Sequence, residues 1–197
     1  WDRPPVSESK SRAWIELGRA SCALRLRELE TAVAHARQAV LCAARGEAAV
    51  EASLVRAYAA QMRGRREEVV EALASAQRYI AHLPRGADEA SFRARWLDQS
   101  AYRALHPAAG AAPDLDAAEE LYEAIVPSAP FAASKRAAGL AYVAWRRGRT
   151  RRAAELAAEA ADVAGDAGYV RLRFAALGLL AHVTGDAAVI ARVEADR

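Results

Sequence analysis

Apolar positions along this chain recur every three or four residues, and they do not alternate. Between Ser134 and Gly165, Leu140, Ala141 and Ala144 share one helical face. Gly148 interrupts the pattern. Ala153, Ala157 and Ala160 then mark one face of a second helix at i, i+4 and i+7. Residues this small let two helix axes approach closely. The same rhythm returns at Val69, Leu73 and Ala76 after Gly64, and at Ala32, Ala36 and Ala39. No stretch alternates Val, Ile or Thr in the manner of a strand. The pattern predicts an all-α protein built from antiparallel helix pairs, with a left-handed residue at Gly148.

The punctuation sets the expected boundaries. Residues 1–8 (WDRPPVSE) read as a linker or frayed N-terminus. The first helix runs to about Leu26, with Trp14, Leu17, Ser21 and Leu24 on one face, and the second covers about Glu28 to Ala44. Glu47 to Arg63 forms a third helix with Ala57 and Ala60 inward. Gly64 turns the chain into a fourth, about Arg66 to His82, which stops at Leu83-Pro84-Arg85-Gly86. Asp88 caps a helix to about Leu105. The longest loop, HPAAGAAPD, follows, and Asp114 or Asp116 caps a helix to Ile125 with Ala118, Tyr122 and Ile125 inward. Pro127 and Pro130 separate this helix from the 134–165 pair, and Gly165 to Gly168 opens the last pair. The expected pairs are 9–44, 47–82, 88–126, 130–165 and 167–196, which gives about five pairs in one helical repeat domain.

Two strings carry a resemblance. Trp14-Ile-Glu-Leu17-Gly18 and Phe174-Ala-Ala-Leu177-Gly178 look like the opening of a tetratricopeptide repeat (TPR), and Gly185 follows Gly148 by 37 residues. The resemblance is to degenerate bacterial repeats of this type. It implies a right-handed superhelix whose concave groove is lined by the first helix of each pair. It also implies a non-catalytic scaffold that binds a protein or peptide there. The matching groove positions are Glu51, Leu54, Tyr58 and Gln61 in the second pair, with Arg95 and Tyr102 in the third. The fourth pair offers Lys135, Ala138, Tyr142, Trp145 and Arg146, and the fifth Leu172, Leu179 and His182. Of these, Tyr58, Gln61, Tyr102, Lys135, Tyr142, Trp145, Arg146 and His182 are the expected ligand-binding set. A second implied reading is the effector- or peptide-sensing domain of a bacterial transcriptional regulator, with its DNA-binding domain outside this chain. The family's clamp for C-terminal carboxylates uses Asn, and this chain has none.

Composition changes the picture in a few places. Hydrophobic residues make up 53%, but much of that is Ala, so the core should consist of many small contacts. The net charge is +3, and only Lys10 and Lys135 are lysines. An almost purely Arg basic set in an Ala-rich chain reads as compositional bias, which weighs against nucleic-acid binding through this segment. Arg146 and Lys135 beside the groove favour an acidic ligand, and a homodimer stays open. Two Arg runs, Arg63-Gly64-Arg65-Arg66 and Arg146 to Arg152, sit at equivalent turns and read first as solvated faces. Cys22 and Cys42 read as small core residues in a reducing, cytoplasmic setting. No apolar run has the length of a membrane span.

His35, His82, His106 and His182 lack metal-ligand spacing, and His35 is expected to face solvent. Glu67-Glu68 and Glu119-Glu120 lie in first turns, where they complement the helix dipole. Neighbours on one helix point apart, whereas acid–base chemistry needs convergence. No P-loop, G-x-G-x-x-G or G-x-S-x-G occurs. The expectation is therefore no enzyme activity, no cofactor and no metal.

Overall fold

The computed structural model describes residues 6–107 and 111–195. It is 81% helix, with no strand among the described residues. Ten helices occur there: α1 Val6–Arg25, α2 Leu29–Ala43, α3 Glu47–Met62, α4 Arg66–Ile80, α5 Ala87–Leu105, α6 Leu115–Glu123, α7 Pro130–Arg146, α8 Thr150–Asp166, α9 Val170–Thr184 and α10 Ala187–Ala195. The first helix starts at Val6, inside the segment expected to be a linker. Ser7 and Glu8 therefore belong to its first turn, and residues 1–5 lie outside the described residues.

The chain divides into two compact units, 1–99 and 100–197, with the boundary inside α5. In the first unit α1 packs on α2, α2 on α3 and α3 on α4, and α1 also touches α3. Alanines make these contacts close. Ala36 and Ala39 of α2 meet Leu17 and Ala20 of α1 and Ala52 and Val55 of α3 in one cluster. A larger cluster joins Val50, Leu54, Ala57 and Ala60 of α3 to Val69, Leu73, Ala76 and Ile80 of α4, with Phe92 and Trp96 of α5 against it. The Trp96 indole N–H donates to the Leu73 carbonyl at 3.0 Å, which satisfies the polar end of that half-buried ring.

In the second unit α6 packs on α7, α7 on α8, α8 on α9 and α9 on α10, and α7 touches α9. The cluster around Ala137, Ala141, Ala157, Ala160, Ala176 and Leu177 holds α7, α8 and α9 together. Asp114 caps α6, its side chain accepting from the Ala117 N–H at 2.9 Å. Pro130 occupies the first turn of α7, where its missing N–H costs nothing.

Four turns share one geometry. The left-handed residue is Arg27, Gly64, Gly148 or Gly168, with φ between 64° and 73°. The next residue's N–H bonds the carbonyl five positions back: Glu28 to Ala23, Arg65 to Ala60, Arg149 to Ala144 and Tyr169 to Ala164, at 2.8–2.9 Å. This is the 6→1 bond of a Schellman-type helix end. The same stop therefore terminates α1, α3, α7 and α8. In the first, an arginine stands where the others have glycine, and its Cβ is strained by a left-handed backbone. Arg27→Gly is expected to raise the unfolding free energy by about 1 kcal/mol. Gly148→Val, whose Cβ would meet no neighbour, should lower it by about 1 kcal/mol or more through backbone strain alone. Urea unfolding of the two variants checks both signs.

Candidate functional site

Two tyrosines, a tryptophan and two histidines of the second unit come together at α5, α7 and α9. Lys135, Tyr142, Trp145 and Arg146 share a stripe of α7, while Ala137, Ala141 and Ala144 on the other side are buried. From Tyr142 the rings continue in both directions. The Tyr142 and Trp145 ring centroids lie 5.4 Å apart. Trp145 meets His182 of α9 edge-on at 5.0 Å. Tyr142 lies 6.0 Å from His106, which follows the end of α5, and His106 lies 4.2 Å from Tyr102 one turn earlier. Five rings thus form a row across α5, α7 and α9. Tyr102, His106 and His182 are exposed, and Tyr142 and Trp145 are half-buried. Offset and edge-to-face contacts at these distances fix the rings against one another.

One cation borders the row. Arg146 donates from Nη1 to the Tyr142 hydroxyl at 3.2 Å, and its guanidinium carbon sits 5.8 Å from that ring's centroid. The arginine is exposed and already arranged along the aromatic surface. Partial burial, with the Arg146 charge adding to it, holds the His106 imidazole below the ordinary histidine pKa. His106 was absent from the expected set because it lies beyond the end of its helix, where pair-to-pair register gives no guide. Its signal in the sequence was its position four residues after Tyr102.

The other expected residues are not part of the ring row. Tyr58 is exposed and Gln61 half-buried on α3, in the first unit. Lys135 is half-buried and engaged. Leu54, expected in the groove, is fully buried instead. The cluster that holds it is covered by Phe92 and Trp96, so this side of α3 is core. Glu51 and Arg95 are spent on each other, with both terminal guanidinium nitrogens of Arg95 donating to the Glu51 carboxylate. Such a fork is the stronger kind of ion pair.

Three further expectations are corrected. Trp14 is 51% exposed; Ala13, Leu17, Ala20 and Ala23 form the buried face of α1. Cys22 is exposed and Cys42 half-buried, so neither is a core residue. His35 does not face solvent freely. Its Nδ1 lies 2.7 Å from Oε2 of Glu16, a buried carboxylate that also accepts from Arg19 at 2.8 Å. The His35 hydrogen bond, opposed by burial and aided by Arg19, holds the Glu16 carboxyl below the usual glutamate value. A carboxyl with a lowered folded-state pKa stabilises the fold above its unfolded pKa. That contribution disappears as pH falls through the folded value. Glu16→Gln should therefore destabilise the protein at pH 7 and flatten its loss of stability between pH 6 and 3. Chemical denaturation across that range reads the difference; parallel curves would remove the assignment.

The arginine runs divide. Arg63 and Arg147 each precede a left-handed glycine and reach back to the helix before them. Arg63 pairs with Glu30 of α2 at 2.9 Å and with Glu68 of α4 at 3.4 Å. Arg147 pairs with Asp116 and Glu119 of α6. Both side chains are largely buried, so they tie neighbouring helices together. Arg65, Arg66, Arg149, Arg151 and Arg152 are exposed.

Among the described residues, no group of three or more His, Cys, Asp or Glu could hold a metal ion. None of the described helices is long and apolar enough to cross a membrane. No protein-family model matches the chain, and neither a curated protein nor a solved structure matches it.

Proposed function

We propose that the chain is a non-catalytic scaffold of TPR-like pairs, wound right-handed, that binds a protein or peptide along the exposed first-of-pair helices. The observation that supports this reading is the ring row Tyr102, His106, Tyr142, Trp145 and His182, with Arg146 beside it. Aromatic rings offer large contact area at low entropic cost, and tyrosine, tryptophan and arginine dominate binding hot spots. A row across three helices can engage an extended or helical segment at several points in series. Arg146 adds a preference for acidic residues in the ligand. That preference should weaken with salt, because exposed charges are screened within about 8–10 Å at physiological ionic strength.

Selection from a random peptide display library tests this. The expected binders pair large apolar residues with Asp or Glu, and their affinity falls as salt is raised. Binders without acidic residues and without salt dependence would contradict the ligand chemistry. Failure of every binder to respond to changes in the ring row would contradict the site.

A further inference from the structure

The ring row is a single file. Along the axes of α7 and α9 it is one ring deep. One turn before Tyr142 and His182 stand Ala138 and Gly178, and soon after Trp145 and His182 the chain turns at the left-handed Gly148 and Gly185. Leu179, the large apolar neighbour on α9, packs against the core cluster. The row runs instead from helix to helix, with centroids 4.2–6.0 Å apart and neighbouring planes inclined by 39–81°. Its shape selects among ligands. An amphipathic helix is about 10 Å across and buries a broad apolar stripe, so it needs apolar walls on both sides. A β-strand ligand needs a sheet edge, and the described residues hold no strand. A polyproline-II segment needs neither. Its side chains repeat every three residues, about 9 Å along its axis, which is about two ring spacings of the row.

The polar atoms in the middle of the row are donors. Arg146 meets no carboxylate among the described residues, whereas Arg147 beside it pairs with both Asp116 and Glu119. An arginine can only donate, so its bond to the Tyr142 hydroxyl leaves the hydroxyl's own proton to be donated elsewhere. The Trp145 indole N–H makes no hydrogen bond among the described residues and is not sealed from solvent. Trp96, by contrast, gives its N–H to a carbonyl of its own chain. A helical ligand has spent its backbone carbonyls internally, and a polyproline-II segment leaves every one of them free.

Taking the proposed row as the binding site, we infer that its ligand is a proline-rich segment in polyproline-II conformation, with apolar side chains at every third position and one Asp or Glu on the same ridge. The apolar ridge lies along the rings. Ligand carbonyls accept from the Trp145 indole and the Tyr142 hydroxyl. The acidic residue meets Arg146 in a charge-assisted pair. Because the guanidinium is already held across Tyr142, little side-chain freedom is lost when the carboxylate arrives. Tyr142 thus contributes twice: its ring belongs to the row, and its hydroxyl positions Arg146. Proline fixes the ligand's φ in advance, which lowers the cost of ordering an extended chain.

The probe is a fluorescein-labelled peptide of four Leu-Pro-Pro triplets in which Asp replaces the leucine of the third. Fluorescence anisotropy against the full chain should show saturable binding. Alanine in place of every proline removes the preset conformation and should weaken binding about tenfold. Asn in place of the Asp should weaken it about fivefold. That Asp–Asn difference should vanish in Arg146→Gln and shrink in Tyr142→Phe, which keeps the ring and releases the arginine; a thermal melt checks that both variants fold. No saturable binding, or equal binding of the alanine peptide, would overturn the inference. A difference that survives Arg146→Gln would remove the acidic pairing, and one unchanged in Tyr142→Phe alone would remove the positioning role. Display-selected binders that respond to Trp145→Ala but are proline-free and helical by circular dichroism would sink the polyproline-II ligand and leave the site standing. Selected binders that all ignore the ring row would instead sink the site itself.

Discussion

Gly139→Ala is expected to cost the protein about 3 kcal/mol of stability, the upper end of what overpacking costs. The side chain it introduces is a single methyl group. A Cβ at position 139 would lie 2.2–2.4 Å from three atoms of the Tyr122 ring. No real contact is that short. Tyr122 is itself buried, at 4% exposure on α6, and cannot swing into solvent without opening the α6–α7 contact. The glycine therefore lets a whole tyrosine ring lie against the backbone of α7. Because α7 also carries Tyr142, Trp145 and Arg146, the contact helps place the ring row. Tyr122→Ala alone should leave a cavity and cost about 3 kcal/mol. The double variant should cost less than the two separately, since the clash disappears with the ring. Additive losses in urea unfolding would show that the close approach is not what the glycine serves.

Trp145→Ala is expected to weaken a selected peptide by about 2 kcal/mol, roughly thirtyfold. Trp145 is the fourth ring of the row, touching Tyr142 on one side and His182 on the other. It is half-buried, so it combines a fixed position with free surface. The same half-burial means that truncation also removes some packing, worth about 1 kcal/mol at most for the aromatic contacts. Binding should thus fall further than stability. If the variant loses several kcal/mol of stability and keeps its ligand, Trp145 is a packing residue between helices.

Much of the fold was legible because alanine at i, i+4 and i+7 has one economical use: it brings helix axes close. Ala32, Ala36 and Ala39, and Ala153, Ala157 and Ala160, are all buried as that spacing predicts. Asp114 announced the start of α6 for an equally local reason, whereas Pro130, read as a separator, occupies the first turn of α7. The first pair was harder to read. Its turn uses Arg27 where glycine would have been the signal, and its large apolar residue, Trp14, lies on the exposed side. Burial of a charge is not local information either: Glu16 and His35 are 19 positions apart, and nothing in either helix announces their contact. Leu54 went astray for a related reason. Groove register assumes an open side, and α5 supplies Phe92 and Trp96 to close it. At the site, register along α7 and α9 placed Tyr142, Trp145 and His182, whereas His106 joins them through a contact no repeat spacing encodes.

The central claim is that ligand lies along the ring row. Its most direct test is photocrosslinking from two exposed positions of the second unit. Benzoylphenylalanine replaces Arg146, beside the row, in one variant and Glu159, on α8, in the other. With a selected peptide bound and irradiated, the account predicts a crosslinked product from position 146 and none from position 159. Product from 159 with none from 146 would contradict it.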